Sequence, residues 1–397
     1  MIRRHRRWLL LPTLLLMALP MLAMLAPLQS LSRTHQEDRV LAGAPALFGG
    51  GANWMAFPRR MDAFLQDHFG FRRILVLANG LIRYRLGDGD DQVFVGERGH
   101  LYLREAATLQ QSAGALGEGR WSWILRTADM LADMQAVLRA DGAKLLVASP
   151  PNSSTLEQAD LPPWARLQTR PTEYNHFLAL LEKRGVKTFD LRPVLAAAAR
   201  KGKIYFRHDT HWTPYGALAS FNAIAAADGH PDWQVPLSDV RPTSHPRVGG
   251  DLARLLGIAN VVTESGQKVS GLPRGADRQL LQGGAFQAFV ETMPHSGPTI
   301  MVVGDSFTDS YFLDPLRVHA GKIVWAHAAL CGFNWGWVQR YHPSEVWYMP
   351  VERLIPCPPK HRPIGLPKPE RVPSALRATF ASEKRPLPPA TGVALSR

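Results

Sequence analysis

Two short stretches of the chain carry residue types that could do nucleophilic chemistry. The first is Gly304-Asp305-Ser306-Phe307, which follows the apolar run Thr299-Ile-Met-Val-Val303. A short apolar run closed by a turn signal reads as a buried strand, so Ser306 is expected on a strand-to-helix turn. Gly304 permits the sharp bend, and N–H groups at the following helix start would face a developing oxyanion. The plainer reading of these residues is a helix cap made by Asp305 or Ser306. The second stretch is His208-Asp209-Thr210-His211-Trp212. Asp209, two residues before His211, can hold the imidazole Nδ1–H and leave Nε2 free to take a serine proton. Those are the roles of a Ser-His-Asp triad, which is defined by what each group does and not by chain order. Two other readings stay open: a capping Asp beside a half-buried His, and a metal site using His208, Asp209 and His211. Metal needs a further ligand, and no second His/Asp/Glu cluster stands out, so no metal is expected.

These residues need a scaffold, and the hydrophobic pattern predicts one. Helical spacing of apolar residues predicts one or two helices over 61–86 and further helices over 121–140, 172–183, 191–199, 214–227 and 310–318. Strands are expected at 93–95 and 100–103, paired through a turn at Gly96 to Gly99, and at 144–149, 186–190, 299–303, 322–325 and 346–349. Residues 229–298 show little period apart from a helical turn at 251–256. Strands alternating with helices imply an α/β fold with a mostly parallel sheet covered on both faces. Its active site belongs beyond the carboxyl ends of the strands.

The charge is concentrated at the ends of the chain. The 397 residues carry 46 Lys+Arg against 33 Asp+Glu, a formal +13, which would suggest nucleic acid as a partner. Residues 1–33 contribute +5 of this and residues 356–397 contribute +6, leaving only +2 on the body between them. No block of Lys or Arg interrupts that body, so no nucleic-acid partner is expected. The amino terminus has Arg3, Arg4, Arg6 and Arg7 followed by an uncharged run from Leu9 to Leu28. That length suits a spanning helix better than the shorter core of a cleaved signal peptide. Positive flanks stay inside, which would place the rest of the chain in the periplasm of a bacterial cell, anchored to the inner membrane. The expected organisation is a basic flank and signal-anchor at 1–30, a tether at 31–54, one catalytic domain at 55–355 and a Pro-rich basic disordered tail at 356–397. Cys331 and Cys357 would form a disulfide or remain two buried thiols.

Asp209-Thr-His211-Trp212-Thr-Pro214-Tyr-Gly216-Ala217, taken with Gly304-Asp-Ser-Phe307, resembles the periplasmic SGNH-hydrolase-like alginate O-acetyltransferases. Asp67-His-Phe-Gly-Phe-Arg72, Val95-Gly-Glu-Arg-Gly99 with Leu101-Tyr102, Gly250-Asp-Leu252 and Val351-Glu-Arg353 look similar too, so the likeness covers roughly 55–355. It implies an SGNH-hydrolase-like fold with a circularly permuted order of catalytic blocks. By resemblance Ser306 is the nucleophile, His211 the general base and Asp209 its orienter. A multi-pass membrane O-acyltransferase would supply the acetyl group, with no bound cofactor, and an acetyl-Ser306 would pass it to a hydroxyl of an exopolysaccharide. The chain looks like the anchored, single-domain kind. Asn334, in Gly332-Phe-Asn-Trp-Gly336, is by analogy an oxyanion donor, the alternative being a turn asparagine. Gly304 would also border the oxyanion site. Trp212, Trp335 and Trp337 would stack on sugar or pack the core. One departure is Pro150-Pro151-Asn152-Ser153-Ser154, which has no Lys where similar proteins often have one. A carbohydrate acetylesterase using the same triad and a non-catalytic scaffold subunit of a secretion complex are the competing functions.

Overall fold

The computed structural model describes residues 12–15, 18–19, 41–46, 54–104, 108–109, 118–166, 171–273 and 277–367. Strands are numbered in chain order: β1 Val93–Val95, β2 Leu101–Leu103, β3 Lys144–Val147, β4 Val240–Pro242, β5 Arg247–Val248, β6 Thr263–Glu264, β7 Gln267–Val269, β8 Arg278–Leu280, β9 Ala288–Thr292, β10 Thr299–Gly304, β11 Lys322–His327 and β12 Glu345–Tyr348. Six of them form the central sheet in the order β3-β12-β10-β11-β9-β8. The pairs β3–β12, β12–β10 and β10–β11 are parallel, while β9 and β8 run antiparallel.

The continuous apolar runs of the parallel strands follow from burial on both faces. Alternate residues serve opposite layers. Leu145, Val147, Met301, Val303, Val324, Ala326, Val346 and Tyr348 pack with the helices Glu118–Ala140, Glu173–Lys183 and Gly336–Tyr341. Leu146, Ile300, Val302, Ile323, Trp325 and Trp347 pack on the other face with Arg192–Ala199, Pro214–Asp228 and Leu313–His319. The chain leaves β10 for β11 on one side, then crosses to β12 on the other, which makes the carboxyl end of β10 a topological switch point, where open α/β sheets place their sites.

A smaller layer stands against one end of this sandwich. Helix Arg72–Leu86, the β1–β2 hairpin and the short helix Asp251–Leu255 share a core of Leu77, Leu81, Val93, Leu101, Leu252, Ala253 and Ile258. Gly80 lets the helix approach closely, because a Cβ there would lie 2.1 Å from the Leu256 carbonyl oxygen.

Four expectations need correction. Residues 186–190 form no strand: Thr188 makes a single bridge to Val147, after which Asp190 accepts from the Arg192 amide at 3.0 Å and turns the chain into a helix. The pattern-poor stretch 229–298 contains β9, a strand of the central sheet. Its buried Glu291 breaks the apolar signature and is neutralised by Arg317 at 2.7 Å and Arg278 at 2.9 Å. The helix expected over 310–318 is a π turn, Thr308–Phe312, followed by Leu313–His319. The stretch expected to begin a disordered tail is packed as far as residue 367. Cys357 is bonded to Cys331, and Ile364 exchanges backbone hydrogen bonds with Phe333 and Trp335 at 2.8 Å each. A crosslink and a bridge pin this segment, which is why it lacks a period. Residues 368–397 and most of the expected anchor lie outside the described residues. Among the described residues, no helix is long and apolar enough to cross a membrane.

Candidate active site

Ser306 stands one residue beyond Asp305 at the carboxyl end of β10 and is exposed, while Asp305 and Phe307 on either side are buried. Asp305 organises the turn. Its Oδ1 accepts from the Phe307 amide at 2.9 Å and its carbonyl from the Thr308 and Asp309 amides at 2.9 and 3.1 Å. Its Oδ2 accepts from the Val351 amide at 2.7 Å, tying the turn to the loop after β12. Asp305 therefore does cap this turn, and the cap leaves the Ser306 side chain exposed. Gly304 is required sterically, since a Cβ would lie 2.1 Å from Thr308 Oγ1.

The acid–base pair comes from a tight hairpin closed by the Tyr205–Trp212 bridge. Asp209 Oδ1 accepts from the His211 amide at 3.0 Å, an Asx turn that brings the two side chains together. Immediately afterwards Thr213 caps the helix Pro214–Asp228, accepting from the Gly216 amide at 3.2 Å. Gly216 is needed because its Cβ would lie 2.3 Å from the Ile204 carbonyl oxygen. The Thr-Pro-x-Gly stretch thus anchors the histidine to a rigid helix. Trp212 locks the hairpin to the serine turn, its indole N–H donating to the Phe307 carbonyl at 2.9 Å.

The three side chains meet in a line. His211 Nδ1 lies 2.6 Å from Asp209 Oδ1 and His211 Nε2 lies 2.7 Å from Ser306 Oγ. Asp209 Oδ2 accepts from Arg247 Nη2 at 2.5 Å and from the Asp251 amide at 3.2 Å. Arg247 also reaches Glu264 Oε1 at 3.4 Å, and Glu264 accepts from the Arg207 amide at 2.7 Å. His208 turns away from this line, its Nε2 lying 3.2 Å from the Tyr84 hydroxyl.

Burial opposes ionisation of Asp209, yet its hydrogen bonds and the charges of His211 and Arg247 outweigh that and hold its pKa well below the usual carboxylate range. Burial likewise lowers the His211 pKa, but the Asp209 bond and charge, helped by Asp251, raise it above the ordinary imidazole value. Asp251 is raised by burial and by the charge of Asp209. His208 is lowered to about 4 by burial and the nearby arginines, so it is neutral at neutral pH.

The remaining sequence candidates fall elsewhere. Asn334 shapes a turn: its Oδ1 accepts from the Gly336 amide at 2.8 Å and one N–H of its Nδ2 donates to the Gly283 carbonyl at 3.0 Å. Trp212, Trp335 and Trp337 are buried and offer no ring to a sugar. The helix-start amides expected to face an oxyanion are taken by Asp305. Asp209, His211 and Asp251 place ligand-type atoms within 4.8 Å of one another, but Asp209 and His211 use theirs on each other, on Arg247 and on Ser306, the pattern of a proton relay. Nothing local in the sequence marks Arg247, Glu264 or Asp251 as neighbours of this line of side chains. Arg247 and Glu264 sit opposite each other in paired two-residue strands within a segment of weak period, where Gly250-Asp-Leu252 is the motif that the sequence offers.

Residues 93–353 match the family model described as SGNH hydrolase-like domain, acetyltransferase AlgX. A probable alginate O-acetylase AlgJ of Pseudomonas syringae pv. tomato is 30% identical over 170 residues, 42% of this chain and 41% of that protein. The match thus spans about two fifths of that relative's length. Among solved structures, the O-acetyltransferase domain of Pseudomonas putida AlgJ has a TM-score of 0.47 at 17% identity, covering 72% of this chain and 99% of that one. Bacillus cereus PatB1 with a sulfonyl adduct has a TM-score of 0.48 at 12% identity, covering 67% and 96%.

Proposed function

Because the chain belongs to the family of SGNH hydrolase-like acetyltransferase domains represented by AlgX, we propose that it is an O-acetyltransferase working through an acetyl-Ser306 intermediate. The observation that carries this reading is the 2.6 and 2.7 Å relay from Asp209 through His211 to an exposed serine. Ser306 Oγ attacks the acyl carbonyl carbon while His211 Nε2 takes its proton. Asp209 keeps the imidazole in the required tautomer and stabilises the imidazolium. Collapse of the tetrahedral adduct expels the donor's leaving group, which takes the proton from His211. An acceptor hydroxyl then repeats the sequence in reverse, with His211 as its base, and leaves as the acetate ester.

The proposed acceptor is a hydroxyl of a secreted, alginate-like polysaccharide, supported by the name of the matching Pseudomonas relative. The proposed donor is a membrane-bound O-acyltransferase. The uncharged run Leu9 to Leu28 behind an Arg-rich flank supports a periplasmic domain tethered to the inner membrane.

The test is to incubate the full chain with an activated acetyl ester, with and without uronate oligosaccharides, and to follow acetyl-protein and acetyl-sugar by mass. Ser306 is expected to be acetylated. Ser306→Ala should abolish the adduct and His211→Ala should slow it by on the order of 10³-fold. Unchanged acetylation in both variants would remove the triad, and acetyl passing only to water would make the protein an esterase.

A further inference from the structure

We propose that Arg353 is a catalytic residue whose guanidinium, together with the Ser306 amide, holds the oxyanion formed when Ser306 attacks an acyl carbonyl. This inference rests on the acyl-serine reading above and adds the group that stabilises its charged intermediate. An acyl transfer site needs preorganised donors aimed at the carbonyl oxygen, and the expected ones are engaged elsewhere. Asp305 occupies the Phe307, Thr308 and Asp309 amides, and Asn334 is bound into a turn through its Oδ1 and one of its N–H groups. The Ser306 amide has no acceptor among the described residues, but one donor is a weak hole.

Arg353 supplies what is missing. Among the described residues it forms no ion pair, and its one side-chain hydrogen bond is a long 3.4 Å contact to Asn152 Oδ1. Its guanidinium lies 5.5 Å from the centre of the Phe307 ring, and His211 packs on the same ring at 5.0 Å. The cation therefore sits beside the residue that follows the nucleophile. Its charge is felt at His211, where it opposes protonation of the ring.

The surrounding loops fix its place. Two residues before Arg353, the Val351 amide is bound by Asp305, the neighbour of Ser306. One residue before it, the buried Glu352 accepts from the Asn152 amide at 2.8 Å and Thr155 Oγ1 at 2.6 Å, while its own amide donates to the Pro150 carbonyl at 2.8 Å. Three strand ends, those of β3, β10 and β12, are thus stitched together around this arginine. A planar fork with several spare N–H donors and a permanent charge suits an oxygen that becomes negative only in the reaction. The step is balanced: the Ser306 proton moves to His211, the carbonyl π pair moves onto oxygen, and the guanidinium donates hydrogen bonds without losing a proton.

The experiment measures the rate of acetyl-Ser306 formation from p-nitrophenyl acetate by intact mass, across pH, in the full chain and in the Arg353→Met and Arg353→Lys variants. Arg353→Met should acylate about 10²-fold more slowly, with Lys restoring part of the rate. The pH midpoint of the residual Arg353→Met rate should move up, because the cation opposing His211 protonation is gone. Should Met fail to fold, Lys alone must still show a loss of at least tenfold with a KM near that of the unmodified protein. Wild-type acylation rates in the variants would overturn the proposal, as would an effect confined to the KM of an added uronate acceptor. The parent reading fails separately: there Ser306→Ala would still take up acetyl.

Discussion

At Asp209 every acceptor direction is committed before substrate arrives. Oδ1 faces the His211 ring and amide, and Oδ2 faces Arg247 and the Asp251 amide. A carboxylate held this way stays ionised at any working pH, so the pH dependence of the proposed reaction would pass to His211. Its pKa is raised by Asp209 and Asp251 against the opposing pulls of burial and Arg353. Only the neutral imidazole can take the Ser306 proton. The rate of acetyl-Ser306 formation should therefore rise with pH through a single step whose midpoint lies above the ordinary imidazole value of about 6.5. A pH–rate profile of kcat/KM checks this, and a midpoint at or below that value would contradict the relay. The residue types and the i, i+2 spacing of Asp209 and His211 were legible in the sequence because an Asx turn is local. Arg247 was not, because its partner lies 38 positions away and nothing in its neighbours marks it.

The acid–base hairpin is positioned by what stands behind it. The backbone of Gly250 presses on the turn: its φ is +154°, and a Cβ would lie 2.1 Å from the His208 carbonyl oxygen and 3.1 Å from Asp209 Cβ. The Ala253 amide donates to that same carbonyl at 3.1 Å, and the Leu101 amide donates to Arg207 at 2.9 Å. Gly250→Ala must push backbone against backbone in a conformation that L side chains avoid. We expect a loss of about 2 kcal/mol or more of stability together with a marked fall in acylation rate. Thermal unfolding and the mass assay measure both, and retention of full activity would show that the hairpin does not depend on this contact. Helices and buried strands of this layer and of the main sheet were legible from period, as with Phe57–His68, Arg72–Leu86 and Pro214–Asp228. Strand β9 was hidden because buried Glu291 depends on Arg278 and Arg317, whose approach no local pattern announces.

Over the whole molecule, the proposed site lies among loops that leave β10, β11 and β12, and one disulfide joins two of them. Cys331 follows β11, Cys357 follows β12, and the bond closes a loop of 26 residues with Cα atoms 5.7 Å apart. A crosslink of that span contributes about 3 kcal/mol by restricting the unfolded chain. Replacing both cysteines with serine should lower Tm by roughly 5 °C or more and loosen the segment from 357 to 367, as hydrogen exchange would show. An unchanged Tm would mean that the bridge bears no load. An oxidising compartment is what such a bond requires, which supports the proposed periplasmic site. The net charge of +13 resides at the two ends of the sequence and leaves the body nearly neutral. Composition and period by themselves determined the α/β class, the main helices and the parallel strands, and short motifs nominated Asp209, His211 and Ser306, because those signals are carried by neighbours a few positions apart. Only the tertiary structure buried Trp212, bound Asn334 into a turn and brought Arg247, Asp251 and Arg353 around the proposed site. These roles depend on groups brought together from distant strand ends, where hydrogen-bond partners and burial, not residue type, determine what each side chain can do.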